Sequence, residues 1–258
     1  MKKIFTLAAA ATLAFTSCTS DDNEDKSSDS LILPKTVSYI DAYNSEDNSI
    51  ATVTYNGNKI VQIVDGDSKT EYVYTDDLIT KTIDTHDNGD SKYTDIIEYT
   101  YIDNKLATEF STSSSTSNSI VNKYKYKYTY NNDGTILRIG YYFDTDGNEI
   151  EGGTTRLTVS NGNVLKSESL NEDETIDRSE THEYDNKNSF FKNILGLDKL
   201  YVSEGGEYST NNEIKFTSSE YPTDDYTITY IYNDNGFPTE AKMYDVDGVL
   251  WGTRKFTY

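Results

Sequence analysis

The residues that most often carry nucleophilic or acid–base chemistry near neutral pH are scarce in this 258-residue chain, which holds two histidines and one cysteine. His86 sits among Asp and Asn in a loop, and His182 stands at the start of a strand-like stretch. No serine, histidine and acid constellation is legible around either. There is no glycine-rich phosphate loop, no HExxH and no paired-cysteine metal spacing. Carboxylates, by contrast, number 44. A pair of them could serve glycoside hydrolysis, but so many acids make neighbouring pairs inevitable, and nothing marks one as buried with a raised pKa. Hard oxygen ligands on a turn suit Ca²⁺, and two stretches qualify: 144–149, with Asp144 and Asp146, and 245–248, with Asp245 and Asp247. Neither supplies the later ligands and closing bidentate Glu of an EF-hand in register, and Asp-Gly is ordinary hairpin chemistry. The reading adopted is therefore structural turns, with no catalytic residue, metal site or cofactor assigned.

The elements that would position any site are β-strands. In 123–134, Tyr124, Tyr126, Tyr128 and Tyr130 alternate with Lys123, Lys125, Lys127 and Thr129, so one strand face is tyrosine and the other cationic. Asn131, Asn132, Asp133 and Gly134 follow, residue types that tolerate tight reversals, and a β-branched and aromatic run returns from Thr135. Looser copies recur: Val53 and Tyr55 before Asn56, Gly57 and Asn58; Tyr72 and Tyr74 before Asp76 and Asp77; Tyr99 and Tyr101 before Asp103 and Asn104; Leu157 and Val159 before Asn161 and Gly162; Tyr230 and Tyr232 before Asn233 and Gly236. Phe256 and Tyr258 resemble the opening half of one more. The second positions fall at 55, 74, 101, 130, 159, 184 and 232, a spacing too loose for a strict solenoid. The expected fold is all-β, an antiparallel meander of repeated hairpins forming a large twisted sheet or open roll. The Ser/Thr tract 111–117 is expected as an exposed loop. One short helical turn is expected near 188–196, where Phe190, Phe191, Ile194, Leu195 and Leu197 form the densest apolar cluster, Asn188 or Ser189 could cap and Gly196 could stop it. This cluster reads as a plug over one end or face of the sheet.

Composition agrees with strands and turns: tyrosine contributes 23 residues, and the hydrophobic fraction is only 35%. Tyrosine rings must then supply much of the buried area, with hydroxyls near water or a partner. A formal charge of -21 repels nucleic acid and anionic surfaces. At the N-terminus, Lys2 and Lys3 precede an apolar run from Ile4 to Phe15 that is too short to span a bilayer, the pattern of a signal peptide over 1–17. Residues 15–18, Phe-Thr-Ser-Cys, resemble a bacterial lipobox, which implies lipidation of Cys18. The acidic stretch after it, with Ser20, Asp21 and Asp22, resembles the surface-export signal of Bacteroidota lipoproteins. Residues 18–33 read as a flexible tether and 34–258 as a single repetitive β-domain. Multiple acyl chains on Cys18 would give stable anchoring.

The Tyr-x-Tyr-Asn/Asp-x-x-Gly units resemble the YD repeats of Rhs-type surface and toxin-shell proteins. The stretches 184–194 and 232–238 are similar to a group of uncharacterised Bacteroidota surface lipoproteins, in whose pattern Pro stands where this chain has Ser189. That resemblance implies antiparallel β architecture and an outer-membrane lipoprotein facing the medium, and it implies no activity. The function expected is a non-catalytic cell-surface binding or structural module for an extracellular polymer or partner protein, with glycan or protein as ligand. Exposed tyrosine faces could stack on sugars, although cross-strand tyrosines also simply hold sheets together. The alternative is an accessory hydrolase of surface polysaccharide use with a carboxylate pair.

Overall fold

Period-two alternation with β-branched and aromatic residues should produce strands, and each tyrosine-bearing stretch lies on one. The computed structural model describes residues 31–117, 121–203 and 208–258, so Cys18, Ser20, Asp21 and Asp22 fall outside it. Sixteen strands follow in order: β1 (Thr36–Asp41), β2 (Ser49–Asn56), β3 (Lys59–Asp65), β4 (Ser68–Thr75), β5 (Leu78–Asp87), β6 (Lys92–Ile102), β7 (Lys105–Ser115), β8 (Val121–Tyr130), β9 (Thr135–Phe143), β10 (Glu149–Ser160), β11 (Asn163–Leu170), β12 (Ile176–Tyr184), β13 (Glu213–Ser218), β14 (Tyr226–Tyr232), β15 (Pro238–Asp245) and β16 (Leu250–Thr257). The Ser/Thr tract expected as a loop is the second half of β7, paired with both β6 and β8.

Each strand pairs antiparallel with the next, and the expected twisted sheet or open roll is overturned because β1 also pairs with β16, closing a barrel. The seam runs from Thr36 opposite Thr257 to Asp41 opposite Gly252. It leaves neither β1 nor β16 as a free edge strand. The half-unit at Phe256 and Tyr258 is thus completed by the other end of the domain: Lys35 N donates to the Thr257 carbonyl at 2.7 Å, and Tyr55 Oη donates to the Pro34 carbonyl at 2.7 Å.

Alternation along the strands sends one set of side chains inward. Val53, Ile60, Ile79, Tyr99, Leu106, Tyr128, Ile136, Leu157 and Val164 are buried in a single cluster with Phe191, Ile194, Leu197, Leu200 and Val202. Wall residues from β2 round to β11 can meet the same five residues of one connection only if that connection enters the lumen. The described residues of the connection between β12 and β13, 185–203 and 208–212, therefore form an internal plug. It sits at the end bearing the tight turns, where Leu195 N donates to Asn58 O at 3.0 Å, Asn188 N to Gly236 O at 3.1 Å and Thr210 N to Gly162 O at 3.1 Å. The helical turn expected near 188–196 is corrected. These residues make successive i→i+3 turns, with Lys192 N to Ser189 O at 3.2 Å and Ile194 N to Phe191 O at 2.9 Å. A 3-10 turn, Leu197–Lys199, begins after Gly196 instead of ending there. Gly196 is needed for another reason. Its φ of 86° is left-handed, and a Cβ would lie 3.1 Å from Asp77 O.

The tyrosine repeat has a backbone cause. On β3, β5, β7 and β15 one extra residue bulges opposite the hairpin end of the preceding strand, so that Tyr55 faces Ile60, Tyr74 faces Ile79, Tyr101 faces Leu106 and Tyr232 faces Pro238 after a shift in register. The next even-numbered strand supplies a phenol to the backbone group the bulge frees. Tyr74 Oη accepts from Ile60 N at 3.2 Å, Tyr101 Oη donates to Ile79 O at 2.6 Å, and Tyr258 Oη donates to Pro238 O at 2.8 Å. We expect Tyr101→Phe to keep the fold and lose about 1–2 kcal/mol in urea unfolding, because a buried carbonyl is left unpaired. Tyr43→Phe, at a position 70% exposed, should be silent; equal effects of the two changes would remove this role.

The tyrosine stripes considered as a surface that could stack on sugars point into the lumen. Tyr126 lies under the Arg138 guanidinium, 5.2 Å from the ring centre, and Arg138 Nη1 donates to Ser203 O of the plug at 3.0 Å. The opposite, lysine-bearing face of β8 is the outer wall, where Lys127 bonds Glu149 at 3.2 Å and lies over the Tyr141 ring. The outer wall elsewhere carries ion pairs, Lys69–Glu71 at 2.9 Å, Lys81–Glu98 at 2.8 Å, Arg156–Glu168 at 2.9 Å and Lys215–Glu183 at 3.0 Å, and threonine pairs such as Thr100–Thr108.

Candidate functional site

Beside the plug, the inward faces of β12 to β16 enclose a cavity of about 460 Å³. β13 is short and meets β14 at only two positions, Lys215 opposite Thr227 and Phe216 opposite Tyr226. On the facing wall the small Ala241 leaves room, and plug residues Ser189, Phe190 and Asn212 form the floor.

Glu213, at the first position of β13, organises the polar side of this cavity. Its Oε1 lies 2.8 Å from His182 Nδ1, its Oε2 accepts from Tyr226 Oη at 3.0 Å, and its backbone carbonyl accepts from Tyr230 Oη at 2.9 Å. Burial, reinforced by the Glu213 charge, holds the Tyr226 and Tyr230 phenols protonated far above their usual range, and burial raises Tyr184 to about 12. They act as donors. A carboxylate can only accept, so the Glu213 bond places a proton on His182 Nδ1 and leaves Nε2 turned away from it. His182 is 8% exposed and Ser189 5%, and neither His182 Nε2 nor Ser189 Oγ has a hydrogen-bond partner among the described residues. Buried polar atoms are seldom left so. Apolar contact comes from Phe216 and Tyr226, whose rings stack 5.1 Å apart at 15°, with the His182 ring 5.3 Å from Phe216. Arg254 of β16 brings a guanidinium to the same cavity.

The residues singled out in the sequence fall elsewhere. Asp144 Oδ1 accepts from Asp146 N at 2.9 Å and Asn148 N at 2.8 Å, and Asp245 Oδ1 accepts from Asp247 N at 3.0 Å and Val249 N at 2.8 Å. These carboxylates cap their own turns, and the Asn148 side-chain amide, joined by backbone donors, holds the Asp144 carboxyl below its usual range. Among the described residues no group of three or more acids, histidines or cysteines is arranged to hold a metal. His86 stands apart from His182 at the plug-free end, with Nδ1 3.0 Å from Ser68 Oγ. The acid pair that composition could not single out is Asp84 and Asp95, directly opposite each other on β5 and β6. Burial, then the charge of Asp95, raises Asp84, against a bond from Thr70 Oγ1 that lowers it. Neither Glu213 nor Arg254 sits in a motif that would mark it, and only the pairing of β12 with β13 brings Glu213 to His182.

No family profile matches the chain, and no curated protein matches it. Among solved structures it is similar to a porin-like protein from Bacteroides vulgatus, with a TM-score of 0.51 and 13% identity over 88% of this chain and 98% of that one. A porin-like protein from Bacteroides uniformis gives a TM-score of 0.49 and 15% identity over 87% and 97%. At such identity the first likeness bears on the fold alone, and it agrees with a closed barrel.

Proposed function

We propose that this chain is a non-catalytic surface lipoprotein that binds an extracellular saccharide within the lumen of a plugged barrel. The observation that carries the reading is the cavity beside Glu213, which joins a stacked aromatic pair to buried polar atoms awaiting partners. A sugar ring offers an apolar face to the one and hydroxyls to the others, and about 460 Å³ is within the ordinary range for small-ligand sites. A closed antiparallel barrel is compatible with an outer-membrane location. The finer placement, anchored through Cys18 and facing the medium, rests on the lipobox-like and acidic stretches of the sequence. Two features weigh against a membrane-embedded channel of the kind the neighbours' description suggests. The plug occupies one end of the lumen. Outward charges such as Lys81 and Lys215 would each cost about 2–4 kcal/mol at a bilayer midplane.

A second reading, hydrolysis, is favoured by one feature, the Asp84–Asp95 pair. Directly opposed strand positions place Cβ atoms about 4.5–5.5 Å apart, close to what a retaining glycosidase needs. One experiment addresses both. The non-lipidated Cys18→Ser protein is screened against a glycan library, and hits are titrated calorimetrically and checked for cleavage by mass. We expect intact ligands and a loss of affinity of about tenfold or more in Phe216→Ala. A blank library overturns the binding reading, whereas cleavage abolished by Asp84→Asn would establish the hydrolase.

A further inference from the structure

We infer that the lumenal cavity selects a saccharide bearing a carboxylate, and that Arg254 is the residue that reads it. The inference rests on the saccharide-binding reading and goes further by naming the substrate class.

Its ground is a mismatch between supply and use of charge. The chain has 44 acids against 23 lysines and arginines. Arginine occurs at four positions, and three are engaged: Arg138 with the Ser203 carbonyl, Arg156 with Glu168 and Arg178 with Glu220. Arg254 faces the lumen on β16 and makes no ion pair or hydrogen bond with any described residue; only its field is felt, lowering the Tyr39 and Tyr230 phenols slightly against burial. The nearest cavity acid, Glu213, is already held by His182 and Tyr226. A planar guanidinium with free donors matches a carboxylate bidentately.

The second observation is independent. His182 Nε2 and Ser189 Oγ, both buried in this cavity without partners, call for hydroxyl groups. A neutral sugar satisfies these two and leaves Arg254 unpaired, while a bare carboxylate does the reverse. A uronic acid carries both kinds of group on one rigid ring, whose apolar face can meet the Phe216–Tyr226 stack. The Glu213 charge also sets direction, since it repels an acid group at its own end and leaves the Arg254 side for it.

The test titrates the full-length Cys18→Ser protein with glucuronic acid, galacturonic acid, glucose, galactose and acetate, at low and high salt. The acids should bind about tenfold or more tightly than their neutral parents, with a preference that shrinks as salt rises. Arg254→Gln should melt at the parent temperature and bring the acids down to the level of the neutral sugars, and Arg254→Lys should restore part of the preference. Equal binding of acidic and neutral sugars, or an Arg254→Gln protein that keeps the preference, overturns the carboxylate assignment while the saccharide reading stands. Acetate binding as tightly as the uronic acids overturns it in favour of a bare anion site. Binding of no sugar at all removes the saccharide reading and this inference with it.

Discussion

Deletion of residues 250–258 should abolish cooperative unfolding of the whole domain. In an open meander the terminal strand is dispensable: its loss costs one ladder and leaves the remaining hairpins in place. In the closed barrel β16 joins β15 on one side and β1 on the other, and its removal breaks both ladders and leaves two raw edges. It also removes Phe256, 6% exposed and packed 4.9 Å from Phe190 of the plug, and Tyr258, whose hydroxyl holds the Pro238 carbonyl. Truncating one such Phe to Ala alone typically costs 3–5 kcal/mol, on the order of a third or more of the ~5–15 kcal/mol by which ordinary domains are stable. The expected readout is loss of the thermal transition in circular dichroism together with protease sensitivity across the chain. A shortened protein that still melts sharply near the parent temperature would mean that the sheet does not depend on its seam.

The next largest effect is expected at Leu200→Asp. Leu200 is wholly buried where the plug meets the wall. The change removes a core side chain, worth about 2–5 kcal/mol, and places a carboxylate in a fully buried apolar position, which adds to that cost. Urea unfolding should show this loss, and binding of a hydrophobic dye should rise as inward Ile79 and Leu106 become uncovered. Ile50→Asp, at an outer-wall position 63% exposed, is the matched control and should change little. If Leu200→Asp is as well tolerated as Ile50→Asp, the plug is an appendage and the cavity beside it has no fixed floor.

How far the sequence could be read follows from the range of each signal. Strands and turns were legible because their cues are local: Tyr124 to Tyr130 alternate within one strand, and Asn131 to Gly134 reverse the chain beside it. Closure was not, since Lys35 reaches Tyr258 across 223 residues and no local pattern announces that partner. The plug was visible as an apolar cluster, yet its spacing fits i→i+3 turns as well as an α-helix, and contact with the 76–79 turn at Gly196 decided between them. Which face of the tyrosine strands is inside was also undetermined, because threonine and lysine on one face and tyrosine on the other could each meet water. Of the site, His182 was noticed and set aside. Glu213 lies 31 residues further on, and Arg254 is distinguished only by lacking the partner every other arginine has.

The seam between β1 and β16 also fixes the timing of the protein's life. β1 must wait for β16, which is made more than 200 residues later, so the barrel cannot close until β16 is available. Contacts of such sequence separation make for slow folding. Until then the chain is a partly assembled sheet with tyrosine-rich strands exposed, the state in which aggregation competes most strongly. Its abundance of acidic side chains then has a use during folding: mutual repulsion keeps neighbouring unfinished copies apart while each waits for its own β16.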